Sequence, residues 1–333
     1  MTAGIGQPAA EPSTLVIGEA LTDILAGPDG RRSAVPGGSP ANVALGLARL
    51  GHPVRLATRV GGDAYGLALR RHLGESGVLL TDGSVVDAAT STATAVLDAD
   101  GAADYRFDVS WILPPAATDP AATGPVAHLH TGSIAALLAP GAAQVLTAVR
   151  AARPGATVSY DPNLRPALLG TAAQERPRVE ELVALSDVAK ASEEDLGWLY
   201  PGHDAAAVAA RWARTGPSLV VLTLGAGGAR AFWRHGSHRV RPTPVDVVDT
   251  VGAGDAFMAG LLGGLLRAGL LGGGAGERVF ARDELRAATG ADRLPAKVVD
   301  SLALAARTAA LTCTRPGADP PTRAELLDCS PTG

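Results

Sequence analysis

The chain has 333 residues, 47% of them hydrophobic, with a net charge of −4, a pI near 6.0 and a mean hydropathy of +0.17. That length and apolar content suit one large α/β unit with a small appendage. The acidic balance and scattered arginines argue against a nucleic-acid or anionic-membrane partner, and no apolar run reaches membrane-spanning length.

The first residues, Met1 to Pro12, lack the basic and apolar regions of a signal peptide. Cys313 and Cys329 form neither a disulfide framework nor a metal cluster, so a reducing cytoplasm is the expected location. Residues 1–13 are polar and aperiodic and read as a disordered tail. Strand-like and helical runs then alternate. Residues 15–21 and 54–60 are strand-like; residues 41–50 and 65–76 are helical. Strand candidates follow at 126–131, 157–160, 187–191 and 219–224. Helical patterns at 144–152, 179–185 and 205–214 lie between them, and another covers 296–312. This rhythm predicts a doubly wound, mostly parallel sheet covered by helices on both faces, a three-layer αβα fold.

Two segments interrupt the rhythm. Residues 22–35 are short, polar and glycine-containing. Residues 92–109 read as two strands, 94–97 and 105–109, around the turn Asp98-Ala99-Asp100-Gly101. Together they predict a small β-sheet lid. The glycines at 272–276 read as a surface connection. His128 and His130 lie two apart on one strand and are expected to be structural, and Cys313 is expected to be a small core residue.

Three glycine-rich stretches carry the chemistry. In Gly37-Gly38-Ser39-Pro40-Ala41-Asn42, the glycines allow close backbone approach, and Ser39 with Pro40 reads as a helix cap followed by an N1 proline. Asn42 then offers a donor and an acceptor from the first turn. Asp249-Thr250-Val251-Gly252-Ala253-Gly254-Asp255 opens an apolar helix, and its unpaired N–H groups and helix dipole make an anion site. An acid there, Asp255, is out of place unless it removes a proton from an alcohol. Gly225-Ala226-Gly227-Gly228 follows a strand, but Arg230 stands where a dinucleotide fingerprint needs glycine, and residues 230–234 read as a strand. A tight hairpin near a nucleotide is expected. Lys190 and Lys297 are the only lysines and neither sits in a phosphate-binding loop.

Residues 37–51 and 249–262 resemble the N- and C-terminal signatures of the PfkB (ribokinase-like) carbohydrate kinase family, and the similarity runs from about residue 14 to 327. Within it the chain is most similar to bacterial fructokinases and 2-keto-3-deoxygluconate kinases, through Gly18-Glu19, Asp161-Pro162-Asn163-Leu164-Arg165, residues 190–195 and Cys313-Thr314-Arg315-Pro316-Gly317. The resemblance implies one ribokinase-like domain over residues 14–327, with a lid at about 22–36 and 90–112. It implies ATP as donor, Mg²⁺ and an activating K⁺, fructose as acceptor, and a homodimer formed through the lid.

By matching positions, Asp255 is the general base and Gly252, Ala253 and Gly254 are the anion hole. Asp23, Gly37, Gly38 and Asn42 bind the sugar, with Arg106 and Arg165 available for a keto-acid carboxylate. Ser192, Thr223, Gly225, Gly227 and Gly228 line the nucleotide. Asp249 and the carbonyls of Val251, Arg315 and Gly317 hold the monovalent cation, and Asp195 reaches Mg²⁺ through water. Three positions depart from the family pattern. Ser192 and Asp195 replace an asparagine and a glutamate, Pro321 replaces a cation-binding serine, and Ala306 replaces an adenine-binding asparagine. The alternatives are a 2-keto-3-deoxygluconate or nucleoside kinase and a non-catalytic sugar-binding regulator. A nucleoside acceptor calls for more aromatic lid residues than Tyr105, Phe107 and Trp111 supply.

Overall fold

The computed structural model describes residues 13–26, 32–97, 103–119, 123–272 and 278–328. Its strands are β1 (Ser13–Ile17), β2 (Leu21–Ala26), β3 (Arg32–Gly37), β4 (Val54–Ala57), β5 (Val60–Gly61), β6 (Leu79–Leu80), β7 (Val85–Val86), β8 (Thr92–Leu97) and β9 (Ala103–Asp108). They continue with β10 (Val126–Gly132), β11 (Thr157–Asp161), β12 (Val188–Ser192), β13 (Leu219–Thr223), β14 (Ala229–Trp233) and β15 (Gly236–Val240). The helices are α1 (Ser39–Arg49), α2 (Ala64–Glu75), α3 (Gly141–Ala152), α4 (Ala172–Leu185), α5 (Glu193–Leu199), α6 (Ala205–Trp212), α7 (Ala253–Arg267), α8 (Arg278–Thr289), α9 (Ala296–Cys313) and α10 (Arg323–Asp328).

Among the described residues, nine strands form one sheet in the order β15-β14-β13-β12-β11-β10-β1-β4-β6. Its pairs from β6 through β13 are parallel, and the β13-β14-β15 edge is antiparallel. Side-chain alternation along β1 shows why the strands read as continuous apolar runs. Leu15 and Ile17 enter one core with α3, α4, α5 and α6, while Val16 enters a second with α1, α2, α7, α8 and α9. The sheet is thus buried on both faces, giving the three expected layers.

The chain leaves β1 for β4 on one side and resumes at β10 on the other. The carboxyl ends of β1 and β10 therefore flank a topological switch point, where such folds bind ligands. Helix α7 is buried on all sides from Asp255 to Leu265 and fixes that end of the molecule. It packs closely because small residues line it. A Cβ at Gly46 of α1 would lie 2.6 Å from that of Ala259, and one at Gly260 would lie 2.7 Å from Thr308 Oγ1 of α9.

β3, β2, β8 and β9 form the small sheet in that order. The two insertions are joined through β2 and β8, which run parallel with Asp23 opposite Ala93.

The differences from the sequence reading have local causes. Ser13 belongs to β1 through its amide bond to Pro125 O, so it is not part of the expected tail. The run at 15–21 divides at Gly18 into β1 and β2, and the run at 54–60 divides into β4 and β5. Helix α4 starts seven residues before the expected Val179, because the Thr171–Gln174 capping box secures a turn ahead of Pro177. Residues 1–12, the turn at 98–101 and most of the 272–276 glycine run lie outside the described residues. No helix among the described residues is long and apolar enough to cross a membrane.

Candidate active site

Asp255 is the third residue of α7, whose N-cap, Gly252, has the left-handed φ of 75° that glycine adopts without strain. Ala253 N bonds to Thr250 O at 3.2 Å, whereas the N–H groups of Gly254 and Asp255 make no backbone bond among the described residues. These two amides are therefore backbone donors at the positive end of the helix dipole. The Asp255 carboxylate is only 7% exposed and is held from both sides. Ser39 Oγ donates to Oδ1 at 2.7 Å and Asn42 Nδ2 donates to Oδ2 at 2.8 Å. Burial raises its pKa, against the opposing pull of these two bonds and the charges of Lys190 and Arg165.

The Ser39 contact corrects the capping expectation. Helix α1 begins one residue earlier than expected, with Gly38 as N-cap and no side-chain cap bond. The serine hydroxyl therefore reaches a carboxylate 216 residues away.

Lys190 is the functional candidate that sequence reasoning missed. It is 3% exposed, and its ammonium bonds Asp161 Oδ2 at 2.8 Å. A Cβ at Gly254 would sit 3.1 Å from Lys190 Nζ, so the charge lies beside the start of α7. Burial opposes that charge, but Asp161, Asp195 and Asp255 outweigh it and hold Lys190 above its ordinary value. Burial pushes Asp161 up to about 6 despite the lysine beside it. One signal was available: a lysine in the middle of the otherwise apolar run Val188-Ala189-Lys190-Ala191.

Ser192 and Asp195 close on each other as a capping box at the start of α5. Asp195 Oδ2 accepts from Ser192 N and Oγ, and its Oδ1 accepts from Leu164 N at 2.7 Å. Both oxygens are thus engaged, Oδ1 holding the 163–165 loop and Oδ2 closing the cap. Asp161 Oδ1, by contrast, is buried with no hydrogen-bond partner among the described residues. Thr223 ends β13, level with Ser192 on β12, and Gly225–Gly227 form an exposed turn leading into Gly228. The antiparallel β13–β14 pair that follows is the expected hairpin.

Asp249 joins two loops. Its Oδ1 accepts from Val251 N at 3.0 Å and its Oδ2 from Gly317 N at 2.8 Å, and these bonds lower its pKa. Cys313 O receives the amides of Val248 and Asp249, so this half-buried residue anchors the same loop through its backbone. A Cβ at Gly252 would lie 2.5 Å from that of Ala318, which places the Arg315–Gly317 loop against the helix start.

On the small sheet, Asp23 lies so close to Gly37 that a Cβ there would be 2.0 Å from its Oδ2. Burial raises Asp23 to about 6; Arg165 opposes the shift and Asp255 adds to it. Arg106 is not brought to this face. It pairs with Thr94, in line with Ile24, while Asp23 is in line with Ala93 and Phe107. Strand alternation therefore puts Arg106 on the opposite side of the sheet. Arg165 follows β11 and folds its guanidinium onto Asn163 and Leu164 O. His128 and His130 share Ser159 within the main sheet, and burial holds them down at about 4 and about 3.

The pfkB family carbohydrate kinase profile matches residues 13–325. The chain belongs to the pfkB family of carbohydrate kinases. It is 37% identical over 263 residues to a fructokinase of Klebsiella pneumoniae, covering 77% of this chain and 85% of that one. Its fold is similar to the crystal structure of a Xylella fastidiosa fructokinase with bound ATP, with a TM-score of 0.80 at 29% identity, covering 95% of this chain and 97% of that one. It is also similar to a Vibrio cholerae O395 fructokinase double mutant in its fructose-, ADP- and potassium-bound form (TM-score 0.75, 27% identity, 97% and 99% covered).

Glu19, in the Gly18-Glu19 pair of this kinase, is 4% exposed and bonds Ala135 N at 3.2 Å. Burial raises it to about 7, outweighing bonds from Ser133 and backbone amides and the charge of Arg165. An acid that protonates more readily when folded adds stability below its unfolded pKa of about 4.5, and that stability is lost as pH rises to about 7. Glu19→Gln removes this loss, which is about 3 kcal/mol by linkage. Chemical denaturation should show the variant gaining stability over the parent at pH 8 and none at pH 4.5.

Proposed function

We propose that this kinase transfers the γ-phosphoryl group of ATP to a hydroxyl of fructose, giving fructose 6-phosphate, with Asp255 as general base. The observation that carries the reading is the Asp255 carboxylate, oriented at both oxygens and set beside the Gly254 amide and the Lys190 ammonium. The Klebsiella relative and the fructose- and ADP-bound Vibrio structure favour fructose as acceptor.

In this reading the sugar lies between Asp23 of β2 and Asn42 of α1. Asp255 accepts the hydroxyl proton as the oxygen attacks the γ-phosphorus and the bond to ADP breaks. The Gly254 and Asp255 amides and Lys190 stabilise the charge on the phosphoryl oxygens. The small sheet, closing over the cleft, excludes water that would compete as acceptor. Thr223 and the Gly225, Gly227 and Gly228 turn receive the nucleotide.

A bound Mg²⁺ would offset the charge of the phosphates. Asp161 fits it better than Asp195, because its Oδ1 is buried and unpaired among the described residues while both Asp195 oxygens are engaged. Asp249, with the carbonyls of Val251, Arg315 and Gly317, would hold K⁺, without the side-chain oxygen that Pro321 cannot supply. The keto-acid alternative rests on Arg165 alone, since Arg106 is on the other face of β9. A second copy would add at the β3 or β9 edge of the small sheet, which size-exclusion chromatography would read.

The test is ADP release from ATP and Mg²⁺ with fructose, 2-keto-3-deoxygluconate and nucleosides, with and without K⁺. Fructose should give the highest kcat/KM. Release only with the keto acid would transfer the assignment to that substrate, and release with none would defeat the kinase reading.

A further inference from the structure

The two donors that hold Asp255 are differently placed. Ser39 is buried at the first residue of α1, while Asn42 is half-buried one turn further on. An attacking hydroxyl needs one carboxylate oxygen to take its proton. We propose that Ser39 is the positioning residue of the base: it holds Oδ1 throughout the reaction, so that Oδ2, the Asn42 side, receives the sugar proton.

This rests on the reading of Asp255 as general base. Three observations carry it. The Ser39 hydroxyl is at 2.7 Å, within the range of charge-assisted O–H···O bonds. It is not used to cap α1, so the helix gives no other reason for its orientation. The backbone beneath it is fixed, since α1 meets α7 closely at Gly46 and Ala259. The division of roles also follows from donor chemistry. A hydroxyl on Oδ1 remains compatible with a carboxylic acid protonated at Oδ2. The Asn42 amide can turn its carbonyl toward that new O–H, because asparagine carries both donor and acceptor.

The charged groups around Asp255 come from several elements: Lys190 of β12, Arg165 after β11, Asp161 of β11 and Asp23 of β2. Replacing Ser39 leaves all four in place. Ser39→Ala removes only a bond that favours the charged carboxylate. The acid limb of kcat/KM for fructose should therefore move to higher pH by about one unit. KM for fructose should stay within about twofold, because Asn42 and Asp23 are untouched. Ser39→Thr restores the hydroxyl and should return the limb to its parental position. If Ser39→Ala does not fold, Ser39→Cys keeps the volume with a weaker donor and should shift the limb in the same direction.

Asp255→Asn is measured in parallel. Full activity in that variant would remove the base reading itself. An inactive Asp255→Asn with an unshifted Ser39→Ala limb would overturn the Ser39 proposal alone.

Discussion

Asp255→Asn should fold, bind fructose and lose about 10²- to 10⁴-fold in kcat, the usual cost of removing a positioned general base. The substitution is nearly isosteric, and its surroundings accept it. The new amide oxygen can face Asn42 Nδ2, and the new NH₂ can donate to Ser39 Oγ, so neither neighbour loses its bond. The thermal midpoint should rise or stay level, since a buried carboxylate whose charge is disfavoured is replaced by a neutral group. Isothermal titration with fructose separates binding from turnover. A variant retaining more than a tenth of the parental kcat would show that the proton goes elsewhere.

Lys190→Met should be nearly as damaging, for a different reason. Removing one donor from a preorganised anion site typically lowers kcat by about 10²- to 10³-fold. Here the donor is also a full charge next to Gly254, so KM for ATP should rise as well. Stability should fall too, because Asp161 would be left buried without its counter-ion, a loss of about 3–5 kcal/mol at neutral pH. Its sign with pH is fixed. Losing Lys190 moves the Asp161 pKa further above its present value of about 6, so the acid is neutral at pH 5 and most of the destabilisation disappears there. The double variant Lys190→Met, Asp161→Asn should recover the thermal midpoint at pH 7.5 but not the activity. A single variant within tenfold of parental kcat/KM would reduce Lys190 to a structural counter-ion.

What the sequence disclosed about this site follows from how local the physics is. Gly252 and Asp255 lie within four residues, so a turn, a helix start and an acid can be read together. The same holds for Gly37 to Asn42. The buried strands were legible as apolar runs because both faces are covered, though their ends moved where Gly18 intervenes. Three features were not legible because they depend on distant pairing. Ser39 was read as a cap, yet its partner is 216 residues away. Lys190 lacked any phosphate-loop context and gains its place only when β12 is set beside β11. The side of the sheet on which Arg106 lies is set by register, and its parity with Asp23 depends on how β2, β8 and β9 align. Ser192 and Asp195 show the opposite case. Their match to the family pattern points toward phosphate and metal, while the same spacing suits a capping box, which is the geometry found.

The parallel pairing of β2 with β8 constrains how this architecture is inherited and can be redesigned. Alone, each insertion is a pair of antiparallel strands, and two strands are marginal in water. Together they make a four-stranded panel, with Leu21 of one insertion and Ala93 of the other packed in one apolar patch with Ile134, which follows β10. A deletion or graft confined to either segment would strand the other, so the small sheet has to be gained, lost or exchanged as a unit. Chimeras between relatives should therefore cross over outside residues 21–108, keeping both segments from a single parent.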